Sequence, residues 1–176
     1  MNKKRNAFGS VRVLTTSAML TAISVVVGVF CKNFLDFGGG LFRVTFENLP
    51  ILLAGLFYGP LVGGFVGAAS DLISYLLSSQ IYPPNLIVTA GAVAIGVVSG
   101  AVGRLTEKRS RNTRIILSCS AAHIVGSMII KPIGLYQFFG VLVLWRIPLY
   151  FVIAPVEILL ICLIVKKGVM KRLGGK

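Results

Sequence analysis

The sequence predicts an all-α integral membrane protein: a compact bundle of six transmembrane helices with both chain ends on the cytoplasmic side. Three observations carry this. Of 176 residues 56% are hydrophobic and only 13% charged, where soluble chains carry about a quarter charged residues. The apolar residues fall in runs of about twenty, the length a helix needs to cross ~30 Å of hydrocarbon. The basic residues, which set a net charge of +13, sit in clusters flanking those runs. No alternating apolar and polar pattern of a membrane barrel is present, so the spans are helices.

The clusters set the topology. They are Lys3, Lys4, Arg5 and Arg12; Arg104, Lys108, Arg109, Arg111 and Arg114; and Lys166, Lys167, Lys171, Arg172 and Lys176, together 14 of the 18 lysines and arginines. Clustering beside spans is the positive-inside signature, which also attracts anionic lipid; it argues against nucleic acid as the partner. If all three clusters are cytoplasmic, an even number of crossings separates each from the next.

The elements then follow in order. Met1 to Arg12 imitates the start of a signal peptide, but the apolar stretch after it is too long for one and leads to no cleavage site, so 13–32 is read as a retained first helix. The stretch 44–79 must hold two helices, and Gly59-Pro60 supplies the break, since proline cannot continue a helical ladder. These are 44–58 and 61–79. The remaining three are 85–105, 114–131 and 142–166. All six form one membrane domain over 1–176. Three outer loops result: Asn33 to Arg43, with the flexible run Gly38, Gly39 and Gly40; Gln80 to Pro84; and Pro132 to Val141. The four cations outside the clusters, Lys32, Arg43, Lys131 and Arg146, all fall at outer helix ends.

Small residues recur at four-residue spacing, as in Gly63 and Gly67, Gly64 and Ala68, Gly96 and Gly100, and Ala122 and Gly126. Such spacing lets helix backbones approach closely where lipid offers no hydrophobic drive to associate. Cys31, Cys119 and Cys162 have no metal or redox spacing and read as small buried hydrophobes.

One acid stands out. Asp71 lies in a stretch otherwise apolar or small, where a carboxylate costs roughly 2.5–3.5 kcal/mol at the centre of a membrane helix. It needs a partner, a polar cavity or a ligand. Tyr75 is one turn further out on the same face. On the fifth helix His123, Ser127 and Lys131 form a second polar stripe. Trp145 and Arg146 open the sixth helix, Phe30 and Lys32 close the first, and Asn85 opens the fourth. Their convergence on an outer cleft is one reading; the other has Asp71 paired with His123 or Lys131, merely locking the bundle, with the aromatics as an interfacial belt. Glu157, after Pro155 and toward the inner side, is assigned to helix packing or partner contact rather than to the outer cleft.

No phosphate-binding loop, H-E-x-x-H or G-x-S-x-G is present, and one histidine with five acids leaves little for acid–base work. The chain is not expected to be an enzyme and needs no cofactor or metal.

The six-helix plan resembles the substrate-binding S components of energy-coupling factor (ECF) vitamin transporters. The residues that carry the resemblance are Ala18-Met-Leu-Thr-Ala22, similar to an AxxxA motif of the first helix; Phe46-Glu-Asn-Leu-Pro50; the Gly59-Pro60 turn; the glycine-rich third helix with Asp71; and Pro84-Asn-Leu-Ile-Val-Thr-Ala90. The likeness spans nearly the whole chain and is greatest to folate-specific members. It implies a protein of a prokaryotic plasma membrane that captures folate at its outer face. It implies partners too: a transmembrane coupling protein and two cytoplasmic ATPases, with Ala18 and Ala22 as the flat face meeting the coupling protein.

On that resemblance, Asp71 would accept the N–H donors of a pterin edge, and Trp145, Tyr75 and Phe30 would be available for stacking. Arg43, Lys131 or Arg146 would take the glutamate tail. Asn85, His123 and Gln137 would complete the polar set, and the run at Gly38 to Gly40 would hinge a gate. Competing readings are an S component for riboflavin, thiamine or another vitamin, a structural membrane subunit with no small-molecule site, and an ion or proton channel. The last is disfavoured because no polar stripe continues to the inner surface.

Overall fold

The computed structural model describes residues 10–37, 42–77 and 85–166, those at 36, 37, 42 and 43 by backbone alone. The run Gly38 to Gly40 and the second outer loop, Gln80 to Pro84, lie outside the described residues.

Helix α1 spans Val11–Phe34. A short hairpin follows, β1 (Asp36–Phe37) pairing antiparallel with β2 (Phe42–Arg43), so that the backbone of Arg43 faces Asp36. Next come α2 (Asn48–Tyr58), α3 (Pro60–Leu77) and α4 (Leu86–Leu105). From Arg111 the chain is helical to Lys166: α5 (Arg111–Ala122), a π-helical stretch (His123–Ile130), α6 (Lys131–Phe139), a 3-10 turn (Gly140–Trp145) and α7 (Arg146–Lys166).

Two boundaries depart from expectation for reasons of proline chemistry. Helix α2 begins at Asn48, not at residue 44. Pro50 then falls in the first turn, where its missing N–H costs nothing; a start at 44 would place it mid-helix. The expected loop from Pro132 to Val141 is largely helical instead. The change from π to α register at Lys131 puts Pro132 at the second position of α6, which again spares it an intrahelical bond. The chain reverses at Gly140, whose φ of 56° favours glycine, and α7 returns to pack against α5.

The interior is α2. Residues Pro50 to Leu56 are all buried, as expected of a helix apolar all round. At 11 residues it is about 16 Å long, short of a full crossing. Helix α4 is the hub, packing on α2, α3, α5, the π stretch and α6. The small residues make this possible. A Cβ on Gly63 would lie 2.5 Å from the Gly96 carbonyl oxygen and 2.7 Å from Gly55 Cα, so three backbones meet where no side chain fits. The outside is apolar: Leu14, Phe65, Leu76, Leu86, Leu105, Phe151 and Val152 are all well exposed, the inverse of a soluble surface and the dress of a lipid-facing bundle.

Candidate functional site

The cleft forms where α1 ends, α2 is entered, α3 ends, α4 begins and α6 and α7 begin. It therefore lies at one end of the bundle, opposite the cationic turn between α4 and α5. Helix α3 contributes Asp71 and Tyr75, α4 contributes Asn85 and Thr89, and Lys131 and Arg146 are the first residues of α6 and α7. The cavity at its base is small, about 40 Å³, room for a few waters.

The acid singled out by the sequence is in this cleft and is half-buried. Among the described residues it makes no ion pair. Thr89 Oγ1 donates to its Oδ2 at 2.7 Å. The alternative in which Asp71 is tied to His123 or Lys131 is thus not what the fold builds. Asn85 has a double role: its Oδ1 caps α4 by accepting from Ile87 N at 2.9 Å, and its amide reaches across to the Gly134 carbonyl on α6 at 2.5 Å.

Two cations are buried on the far wall. Lys131 is 6% exposed and Arg146 6%, positions that charged side chains occupy only when compensated. Lys131 Nζ donates to Asn48 Oδ1 at 3.2 Å and to Glu47 Oε1 at 3.4 Å. Arg146 is less satisfied: its buried Nε has no hydrogen-bond partner among the described residues, nor has the buried Thr45 hydroxyl in the same lining. An arginine with an unused donor beside a lysine is suited to an anion from outside.

The structure thus brings together Asp71, Tyr75, Asn85, Lys131 and Arg146 and leaves out four other expected residues. His123 is in the core, 1% exposed, with Nε2 2.8 Å from Glu157 Oε2 and Nδ1 3.3 Å from Ser127 Oγ. Its π-helical setting turns it from the cleft toward α7, so the two groups read separately in the sequence form one buried pair. Trp145 is 63% and Phe30 55% exposed; neither lines the cleft, because each sits on the lipid side of its helix, and Phe30 stacks instead on Phe34 at 4.9 Å. Gln137 is exposed and donates to Gly134 O of its own helix at 3.2 Å. The side chain of Arg43 is outside the described residues.

Lys32, read from the sequence at the outer end of the first helix, also lines the cleft; residues that sequence reasoning missed are Thr45, Glu47, Thr89 and Tyr150. Glu47 matters most. It receives Lys131 on one oxygen and Lys32, at 3.8 Å, on the other. Its signal was present: an acid at the head of an apolar helix, with two lysines at outer helix ends to match. Ala18 and Ala22 are exposed on α1, off the line that Ser17, Ser24 and Gly28 bury.

Comparison with known proteins agrees with this architecture. The solved structure of FolT bound with folic acid superposes with a TM-score of 0.66, covering 87% of this chain and 94% of that one at 21% identity; the likeness is one of fold. The folate transporter FolT of Clostridium novyi is 30% identical over 79 residues, 43% of this chain. An uncharacterised protein of Mycoplasma pneumoniae is 30% identical over 96 residues, 49% of this chain. The matched stretches span 46% and 19% of those two relatives' lengths. Residues 12–174 match the family described as "ECF transporter, substrate-specific component". The chain belongs to that family: it is a substrate-specific component of an ECF transporter.

Proposed function

We propose that this S component binds folate at the outer face of the membrane and delivers it inward, driven by ATP hydrolysis in partner subunits. The observation that carries the reading is the cleft itself: an intramembrane carboxylate, Asp71, held by a threonine rather than neutralised by a cation, faces Lys131 and Arg146 across a gap. Asp71 accepts N–H donors of the pterin edge; Lys131 and Arg146 take the carboxylates of the glutamate tail. Tyr75 lies beside Asp71 on α3 and Tyr150 beside Arg146 on α7, so aromatic faces are available for the rings. The folic acid bound in the solved FolT structure of like fold, and the folate that gives the Clostridium transporter its name, support this choice over riboflavin or thiamine.

The topology we propose has six crossings and cytoplasmic termini in a prokaryotic plasma membrane. The run from Arg111 to Lys166, 56 residues long, would be about 84 Å if straight, far beyond one bilayer; its reversal at Gly140 makes two crossings of it. The cleft lies at the end opposite Arg104, Arg109, Arg111 and Arg114, which the positive-inside rule assigns to the cytoplasm. A solute the size of folate exceeds the present cavity, so the surrounding elements must part. Gly38, Gly39 and Gly40 are the proposed hinge. Ala18 and Ala22 are the proposed contact with the transmembrane coupling protein, which joins two cytoplasmic ATPases. The role is capture, not catalysis.

The test is direct. Small molecules released from freshly purified protein are identified by mass spectrometry, and folate is titrated into the native chain and Asp71→Asn. Folate in the eluate and a loss of affinity of at least tenfold in the variant are expected. Another vitamin in the eluate, or unchanged affinity in the variant, defeats the assignment.

A further inference from the structure

The one acid of the cleft that the folate reading leaves without a task is Glu47. Its placement is over-determined. The Ser24 hydroxyl donates to its backbone carbonyl at 2.6 Å. Its side chain lies over Gly28, where an added Cβ would stand 2.8 Å from Oε2 and 3.5 Å from Glu47 Cβ. Glycine at 28 therefore makes the notch that seats the carboxylate. From there it spans two elements distant in the chain, with Lys32 at the end of α1 at 3.8 Å and Lys131 at the start of α6 at 3.4 Å. Both lysine side chains are under a tenth exposed.

Both contacts are long for charge-assisted hydrogen bonds, which run about 2.7–2.9 Å. Lys131 also holds Asn48 Oδ1 at 3.2 Å, a neutral anchor that keeps the ammonium in place without Glu47. Among the described residues, the charges in the cleft are three cations, Lys32, Lys131 and Arg146, against two anions, Glu47 and Asp71. A carboxylate entering beside Lys131 meets the attraction of the ammonium and the repulsion of Glu47 together.

We propose that Glu47 is a built-in counter-carboxylate: it holds Lys32 and Lys131 in the cleft until a carboxylate of the ligand competes for them, and so sets how strongly the site discriminates for anionic ligands. It is a positioning residue that acts through the two lysines. The inference rests on the reading of the site as one for an anionic vitamin. Exchange of Glu47 for a ligand carboxylate keeps both ammonium groups compensated, so neither lysine is stranded in the interior. The exchange also unties α1 from α6 across the cleft, which is the direction the cavity must widen.

The experiment titrates the full-length chain in detergent with folate and with folate dimethyl ester, which keeps the rings and lacks both tail carboxylates. The variants are Glu47→Gln and Glu47→Asp. Removing one negative charge some 5–7 Å from an incoming carboxylate, at an effective dielectric near 20, predicts roughly hundredfold tighter folate binding in Glu47→Gln. The ester is expected to change less than twofold. Glu47→Asp, which withdraws the carboxylate by one methylene yet keeps its charge, is expected to fall between native and Glu47→Gln, and decides the matter if Glu47→Gln does not fold. Folate affinity unchanged or weakened in the folded variants, or equal gains for folate and ester, overturns the proposal while leaving the folate site standing. A native chain that binds no folate overturns both.

Discussion

Thr89 donates its hydroxyl to one oxygen of Asp71 across the α3–α4 interface, at 2.7 Å. This contact couples the one feature the sequence marks as costly to a helix pair whose backbones meet closely at Gly63 and Gly96. A hydroxyl bond occupies one carboxylate oxygen and leaves the second available, whereas a lysine at the same place would have satisfied both. The same hydroxyl is 3.4 Å from the Asn85 carbonyl, one turn back, so its rotamer is fixed by its own helix. Thr89→Val preserves shape and removes the donor. Folate affinity is expected to fall roughly tenfold, the scale of a hydrogen bond to a charged group. Thr89→Ser is expected to restore most of it. Titration calorimetry on the three proteins checks this; equal binding by Thr89→Val would remove the hydroxyl from the site.

The core pair of His123 and Glu157 predicts a stability effect with no binding effect. Glu157 is 0% and His123 1% exposed, so removing one partner strands the other in a medium that solvates it poorly. Glu157→Leu and His123→Leu are each expected to cost about 3 kcal/mol or more of stability, and the double variant Glu157→Leu with His123→Leu less than their sum. Thermal unfolding in detergent reads this. Additive losses would mean that the 2.8 Å contact carries no coupling.

The exposed aromatics give a negative prediction. Trp145 and Phe30 stand on the lipid side of their helices, away from the cleft. Trp145→Ala and Phe30→Ala are expected to leave folate affinity within about twofold, since neither change removes a contact in the cleft. Tyr75→Ala and Tyr150→Ala are expected to weaken it about tenfold, from the loss of stacking area. Fluorescence quenching of Trp145 by ligand would then be weak. A large loss in Trp145→Ala would show that the ring turns inward on binding.

These residues also show what a sequence can convey about such a site. Asp71, Lys131 and Arg146 were legible because a charge in an apolar run has few explanations. Asn85 was legible as a polar residue opening a long apolar helix, and the structure adds its role as N-cap. Trp145 was misread because tryptophan is as much at home in the membrane interface as in a binding site. Helical spacing alone does not say which face of a helix meets its neighbours. His123 was misread because its stripe assumes α periodicity, and the chain there is π-helical, which rotates successive residues differently. Glu47 escaped because its meaning lies in its contact with Lys32, 15 residues away in sequence but joined to it by the hairpin of β1 and β2. Among the helices, Gly59-Pro60 announced its break, whereas Pro132 announced one that the change of register absorbs.

The last prediction separates binding from delivery. Leu14, Ala18, Ala22 and Val26 repeat every four residues along α1 and are all exposed, a stripe away from the buried line of Ser17, Ser24, Gly28 and Cys31. Two alanines in the middle of that stripe make a shallow trough against which another helix can come close, as small residues do wherever membrane helices associate. The cleft lies at the far end of α1, beyond Lys32, about 15 Å from Ala22 at 1.5 Å of rise per residue. Enlarging the trough residues therefore leaves the cleft untouched. Ala18→Trp and Ala22→Trp are expected to bind folate within about twofold of the native chain, while losing most folate uptake in cells that also contain the coupling protein and its ATPases. Uptake at the native rate in both variants would place the coupling contact elsewhere on the bundle; loss of binding together with uptake would mean that the trough packs within this chain rather than against a partner.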